Sequence, residues 1–151
     1  MHVSAGVAAI VLLFLSSAAA QSNLSTSDGF AGVWRYNSER SELRRLPAPP
    51  AAFLKVEQDG QSLHVFASDT QNGGFALVSL YPLDGRSERR QAGAERLNSA
   101  TKWEGSALLV NTLVSGPRNY TVMERWKRSR DGSTLTITRT IVDTGGEIES
   151  T

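Results

Sequence analysis

This sequence predicts an all-β chain of antiparallel hairpins that closes into an up-and-down meander barrel of about eight to ten strands. Three observations carry that expectation. Hydrophobicity alternates with a period of two, tight-turn dipeptides separate the alternating segments, and no stretch after Leu15 carries a helical apolar stripe. The 151 residues carry a net charge of +1 and no cysteine, which fits one small domain. Such a chain excludes disulfides, thiolate metal centres and a cysteine nucleophile. Its near-neutral balance argues against bulk attraction to nucleic acid or an anionic membrane.

The first element stands apart from the rest. Residues 7–15 are an unbroken apolar run, too short to span a bilayer as a helix, followed by Ser16-Ser17-Ala18-Ala19-Ala20 and then polar Gln21. This pattern reads as a secretory signal peptide, residues 1–20, cleaved after Ala20, although only His2 and the amino terminus supply charge ahead of the run. Residues 21–29 follow as a disordered amino-terminal segment, and residues 30–151 as the barrel domain. The mature protein is then expected in the periplasm or secreted, and the lack of cysteine favours a bacterial periplasm.

Residues 30–37 open the alternating series. Segments 51–58, 62–68, 75–83, 97–103, 106–114, 120–129 and 133–142 continue it. The last is the clearest: Leu135, Ile137, Arg139 and Ile141 share one face and Thr134, Thr136, Thr138 and Thr140 the other. Asp59-Gly60, Asn72-Gly73-Gly74, Asp84-Gly85, Glu104-Gly105, Ser115-Gly116-Pro117 and Asp131-Gly132 mark turns. Residues 86–96 hold a short extra strand before the Gly93 break on one reading, which raises the strand count to nine or ten. The tail from Asp143 onward is polar.

Turn chemistry also fixes expected partners. A two-residue turn at Asp59-Gly60 sets Val56 opposite Leu63 and Leu54 opposite Val65. A type I′ turn at Asp131-Gly132 sets Trp126 opposite Ile137, Glu124 opposite Arg139 and Val122 opposite Ile141. The 115–119 loop then places Val110 opposite Glu124 and Leu108 opposite Trp126, so Leu108, Val110, Thr112 and Val114 face inward. A closed barrel hides the edges of such a meander, and an open sheet or a sandwich is the alternative.

Gly32-Val33-Trp34 on the first mature strand resembles the G-x-W signature of lipocalins and fatty-acid-binding proteins, and Arg139 stands on the last strong strand, where lipocalins carry an arginine that packs across the tryptophan. Tyr81-Pro82-Leu83-Asp84-Gly85, Trp103-Glu104-Gly105, Glu124-Arg125-Trp126 and Asp131-Gly132-Ser133-Thr134-Leu135-Thr136 resemble small exported bacterial proteins described as lipocalin-like. The resemblance spans residues 30–142. It implies a lipocalin-like barrel with a central cavity and a non-covalent role toward a small hydrophobic or amphipathic molecule.

The catalytic inventory is thin. After removal of the leader only His64 remains among histidines, and alternation turns it outward with Ser62, Phe66 and Ser68. No enzyme activity, metal or cofactor is expected. The arginines at 44–45 and at 86, 89, 90 and 96 are interleaved with glutamates, which reads as solvated loop surface. The cavity candidates are Trp34, Leu108, Val110, Tyr120, Val122, Glu124, Trp126 and Arg139. Glu124 and Arg139 form the one charged pair expected indoors, either as a structural ion pair locking Arg139 against Trp34 or as a holder for a ligand's polar head. The expected partner is a small hydrophobic ligand, with no nucleic acid, no membrane insertion and a monomeric state. A barrel filled by its own side chains, serving as a structural or protein-interaction domain, is the competing reading.

Overall fold

The computed structural model describes residues 6–14, 29–44, 46, 48–49 and 51–143. Among the described residues there are ten strands and no helix: β1 (Gly6–Phe14), β2 (Gly32–Tyr36), β3 (Phe53–Gln58), β4 (Ser62–Ser68), β5 (Ala76–Pro82), β6 (Ser87–Ala92), β7 (Glu95–Glu104), β8 (Ala107–Ser115), β9 (Tyr120–Arg128) and β10 (Thr134–Asp143). β2 to β5 form a four-stranded antiparallel sheet and β6 to β10 a five-stranded one. β1 pairs with both β2 and β10, giving the order β5-β4-β3-β2-β1-β10-β9-β8-β7-β6. The all-β antiparallel class is therefore as expected, but among the described residues no sheet closes on itself. Among the described residues no ladder joins β5 to β6, and a side-chain bond from the Thr101 hydroxyl to the Pro82 carbonyl ties β7 to the end of β5.

The sequence reading kept residues 7–15 out of the fold, whereas the structure pairs Gly6–Phe14 on both sides. Ile10 stands opposite Ile137, and Leu12 opposite both Leu135 and Tyr36. Leu12 is buried in the core. A run of Val, Ile, Leu and Phe is as compatible with a strand as with a leader, and here it satisfies backbone groups that β2 and β10 would otherwise leave unpaired. The cleavage site at Ala20, residues 21–28 and the tail from 144 lie outside the described residues.

Local alternation reads the β8–β9–β10 region correctly. Trp126 pairs with Ile137, Glu124 with Arg139 and Val122 with Ile141, while Leu108 pairs with Trp126 and Val110 with Glu124. The turn that delivers this register is not the expected type I′. Ser129 N–H donates to the Thr134 carbonyl at 2.8 Å and Gly132 N–H to the Ser129 carbonyl at 2.9 Å, so four residues, 130–133, close the hairpin. Only Gly132 in that loop has a left-handed φ, +72°, whereas type I′ needs two such residues. A four-residue loop centred on the same bond leaves the strand register unchanged.

The β3–β4 hairpin differs by one step. Val56 pairs with Val65 and Gln58 with Leu63, and Asp59 N–H donates to the Ser62 carbonyl, so Gly60-Gln61 is the turn rather than Asp59-Gly60. Asp59 stays outside it and accepts the N–H groups of Gln61 at 2.8 Å and Ser62 at 2.7 Å through Oδ1. The resulting register shift of two keeps every side chain on its expected face. β6 is the extra strand before Gly93, and its hairpin with β7 sorts the interleaved charges. Glu88 and Arg90 are half-buried on the inner face, and Arg89 and Gln91 are exposed.

Trp34, Phe30, Leu63, Leu108, Val110, Leu135 and Leu12 are the most deeply buried side chains, joined by Val65, Trp126 and Ile137. Each contributes on the order of 2 kcal/mol by leaving water. Phe30 stacks on Trp103 at 5.8 Å between centroids and meets Trp126 edge-on at 5.9 Å. The Trp34 indole N–H donates to the Phe30 carbonyl at 3.0 Å, so the polar atom buried with the ring is satisfied.

Candidate functional site

Next to this packed region the inner faces of β5 to β10 leave a cavity of about 280 Å³. Its position follows from side-chain size and polarity along the strands. Inward positions near Leu108 and Trp126 carry large apolar groups that interlock. Further along the same strands the inward residues Ser99, Thr112, Val114 and Val122 fill less space than Leu108 and Trp126, and Tyr120 stands at the wall beyond them. Ser99 and Thr112 hydrogen-bond to each other at 2.8 Å, which satisfies both hydroxyls in the wall.

Glu124 and Arg139 stand side by side on β9 and β10 at the boundary between the packed region and the cavity, directly opposite in register. Glu124 is buried, its side chain 4% exposed, while that of Arg139 is 36% exposed. Arg139 donates Nε to Glu124 Oε1 at 2.7 Å and brings Nη2 to the same oxygen at 2.5 Å. The other oxygen, Oε2, accepts the Trp126 indole N–H at 3.0 Å and, more loosely, the Tyr81 hydroxyl at 3.4 Å. Both carboxylate oxygens are thus engaged, whereas the Arg139 Nη1 edge has no hydrogen-bond partner among the described residues. A buried carboxylate held by charged and neutral donors is a fixed anchor for the guanidinium.

The electrostatics agree with that geometry. Burial pushes the Tyr81 hydroxyl far above its ordinary range, and the nearby Glu124 charge pushes it further. Burial works against the Arg139 charge, but Glu124 outweighs it and holds the guanidinium more firmly protonated than usual. The Tyr120 hydroxyl is raised by partial burial and then by Glu95, whose Oε1 it reaches at 3.3 Å. Both phenols therefore stay neutral at ordinary pH beside the Glu124–Arg139 ion pair, and Glu88 and Arg90 add two further ionisable side chains to the wall.

Of the residues singled out in the sequence, Tyr120, Val122, Glu124 and Arg139 line the cavity. Trp34, Leu108, Val110 and Trp126 are packed in the core beside it, and Trp126 touches the site through its bond to Glu124 and edge-on against the Tyr81 ring at 6.0 Å between centroids. Tyr81, Ser79, Leu97, Arg90 and Ile141 line the cavity without having been singled out for it. Arg90 was read with its neighbours as solvated loop, because only the β6–β7 pairing shows which arginine of the run turns inward. His64 lies on β4, half-buried, away from the cavity.

The expected stacking of Arg139 on Trp34 does not occur. The guanidinium over the Trp34 ring is that of Arg128, at 5.7 Å from the ring centroid, and its Nη1 donates to the Gly29 carbonyl at 2.8 Å. The reason is topological: β1 lies between β2 and β10 and separates Arg139 from the first mature strand.

Among the described residues no helix is long and apolar enough to cross a membrane, and no three His, Cys, Asp or Glu side chains gather in a way that would hold a metal ion. No protein-family model matches this chain, and neither a curated protein nor a solved structure is detectably similar to it.

Proposed function

We propose that this chain is an exported, lipocalin-like barrel protein that binds a small amphipathic molecule non-covalently in the cavity beside Glu124 and Arg139. The observation that carries the reading is Arg139, half-exposed to a cavity of about 280 Å³ with its Nη1 edge unused while Glu124 pins its other edge. A ligand oxygen is the natural complement to that edge, and Leu97, Val114, Val122 and Ile141 offer it apolar walls. Because the ion pair is formally neutral, the site suits a hydroxyl, carbonyl or carboxyl head without demanding full charge. The volume is at the low end of small-molecule sites, which favours a compact ligand.

A binding role fits better than catalysis because Glu124, the one deeply buried carboxylate here, already accepts on both oxygens and has no lone pair poised to take a proton. The leader-like residues 1–20 and the lack of cysteine support an extracytoplasmic location. Protein purified from its native source, extracted and examined by mass spectrometry tests the proposal. A stoichiometric small molecule that copurifies with the unmodified chain and is lost in Arg139→Met, under conditions where circular dichroism shows the variant still folded, is the expected result. No copurified molecule, together with no binding of medium-chain acids or alcohols by calorimetry, would instead favour the filled structural domain.

A further inference from the structure

Strand parity exposes a second feature of the fold. β2 and β10 are each antiparallel to β1, so they run parallel to one another. Without β1 the meander has an odd number of strands from β2 to β10, and its first and last strands point the same way. Joining them directly would require a parallel ladder where every ladder among the described residues is antiparallel, with the slanted and slightly weaker bonds of that geometry. A strand that runs antiparallel to both walls removes the conflict. Gly6–Phe14 meets that description, from Gly6 opposite Ile141 to Leu13 opposite Thr134 on β10, and from Leu12 opposite Tyr36 to Phe14 opposite Trp34 on β2.

The sequence of the segment suits the slot. It contains no Pro to interrupt a ladder and no charge, and its alternate sets Val7, Ala9, Val11, Leu13 and Ala8, Ile10, Leu12, Phe14 are both apolar. An edge strand normally carries charge to discourage pairing, so a strand of this composition is suited to being enclosed on both sides. Leu12 is 1% exposed and belongs to the same core as Trp34 and Leu135.

We propose that the groove between β2 and β10 is a strand-accepting site, that its occupant in the unprocessed chain is Gly6–Phe14, and that removal of the leader opens it. One segment then has two competing destinations, the export machinery and the sheet. The inference rests on strand parity and pairing, not on the cavity reading, and an empty cavity would leave it standing.

Since the chain has no cysteine, an introduced pair reports on pairing without background. In the full chain, Ala9→Cys with Thr138→Cys joins positions directly opposite in register, and Ala9→Cys with Thr134→Cys is offset along the same strand. Mild oxidation should cross-link the first pair at least about tenfold faster than the second, because only the first falls within disulfide reach. Cutting the folded full chain between Ala20 and Gln21 should leave the leader fragment co-eluting with the body, and Ile10→Pro should release it. Equal cross-linking of the two pairs would overturn the proposal. So would immediate loss of the fragment on cutting, or its retention by the Ile10→Pro chain.

Discussion

Arg128 covers the indole of Trp34 from the far end of β9, with its guanidinium carbon 5.7 Å from the ring centroid and its Nη1 donating to the Gly29 carbonyl at 2.8 Å. One side chain thereby ties the last turn of the five-stranded sheet to the start of the four-stranded one. Arg128→Ala should cost about 2 kcal/mol, from a cation–π contact and a charged hydrogen bond. Arg128→Lys should recover less than half of this, since an ammonium lacks the planar fork. Chemical denaturation monitored by tryptophan fluorescence reads both, and a loss below about 0.5 kcal/mol in Arg128→Ala would show that the contact is not made in solution.

Gly132 offers an independent route to the same contact. A Cβ there would meet Arg128 Nη2 at 2.8 Å, and the residue has φ +72°. Gly132→Ala should therefore cost more than the roughly 1 kcal/mol of left-handed strain alone, and in an Arg128→Ala background only that strain should remain. Identical costs in the two backgrounds would mean the arginine does not pack over the turn.

The Glu124–Arg139 pair is asymmetric, so its two halves should not cost the same. Arg139→Met leaves a buried carboxylate facing only Trp126 and Tyr81 and should destabilise by about 3 kcal/mol. Glu124→Gln leaves a half-exposed guanidinium that the cavity can hydrate, and should cost about 2 kcal/mol. The double change should cost distinctly less than their sum in a double-mutant cycle. Additive losses would contradict the pairing.

Two turn glycines should behave oppositely on replacement by alanine. Gly105, in the β7–β8 turn, has φ +60° with open space around it, so Gly105→Ala should lose about 1 kcal/mol through backbone strain alone. Gly60 has equally open space and no left-handed φ, so Gly60→Ala should be neutral or stabilise by about 0.4–1 kcal/mol. Thermal melts of both variants separate the two cases, and a strongly destabilised Gly60→Ala would restore a primed turn at Asp59-Gly60.

Asp131 supplies a pH signature. The Ser129 hydroxyl, then the Ser133 N–H and hydroxyl, hold its carboxyl at about 2, against an ordinary value of 3.8. Since the folded value lies below the unfolded one, the stabilisation is complete above about pH 4 and is lost as the pH falls toward about 2. Carboxyl-carbon NMR should place the midpoint near 2, with faster amide exchange in the 129–134 turn below it. A midpoint at the ordinary value would show that the turn bonds are absent.

What the sequence determined by itself was local. Period-two alternation settled which face of β8, β9 and β10 turns inward, and loop lengths then set Glu124 opposite Arg139. Even where the turn type was misjudged, at Gly60-Gln61 and at residues 130–133, the faces survived, because a register error of two or none returns each side chain to the same side. What only the tertiary structure decided was which strands become neighbours across long sequence separations. That choice put β1 between β2 and β10, gave Trp34 to Arg128 instead of Arg139, turned Arg90 inward and divided the interior between a packed core and a cavity. Alternation reports the direction of a side chain from its own strand. Its partner depends on strand order, which no single segment encodes.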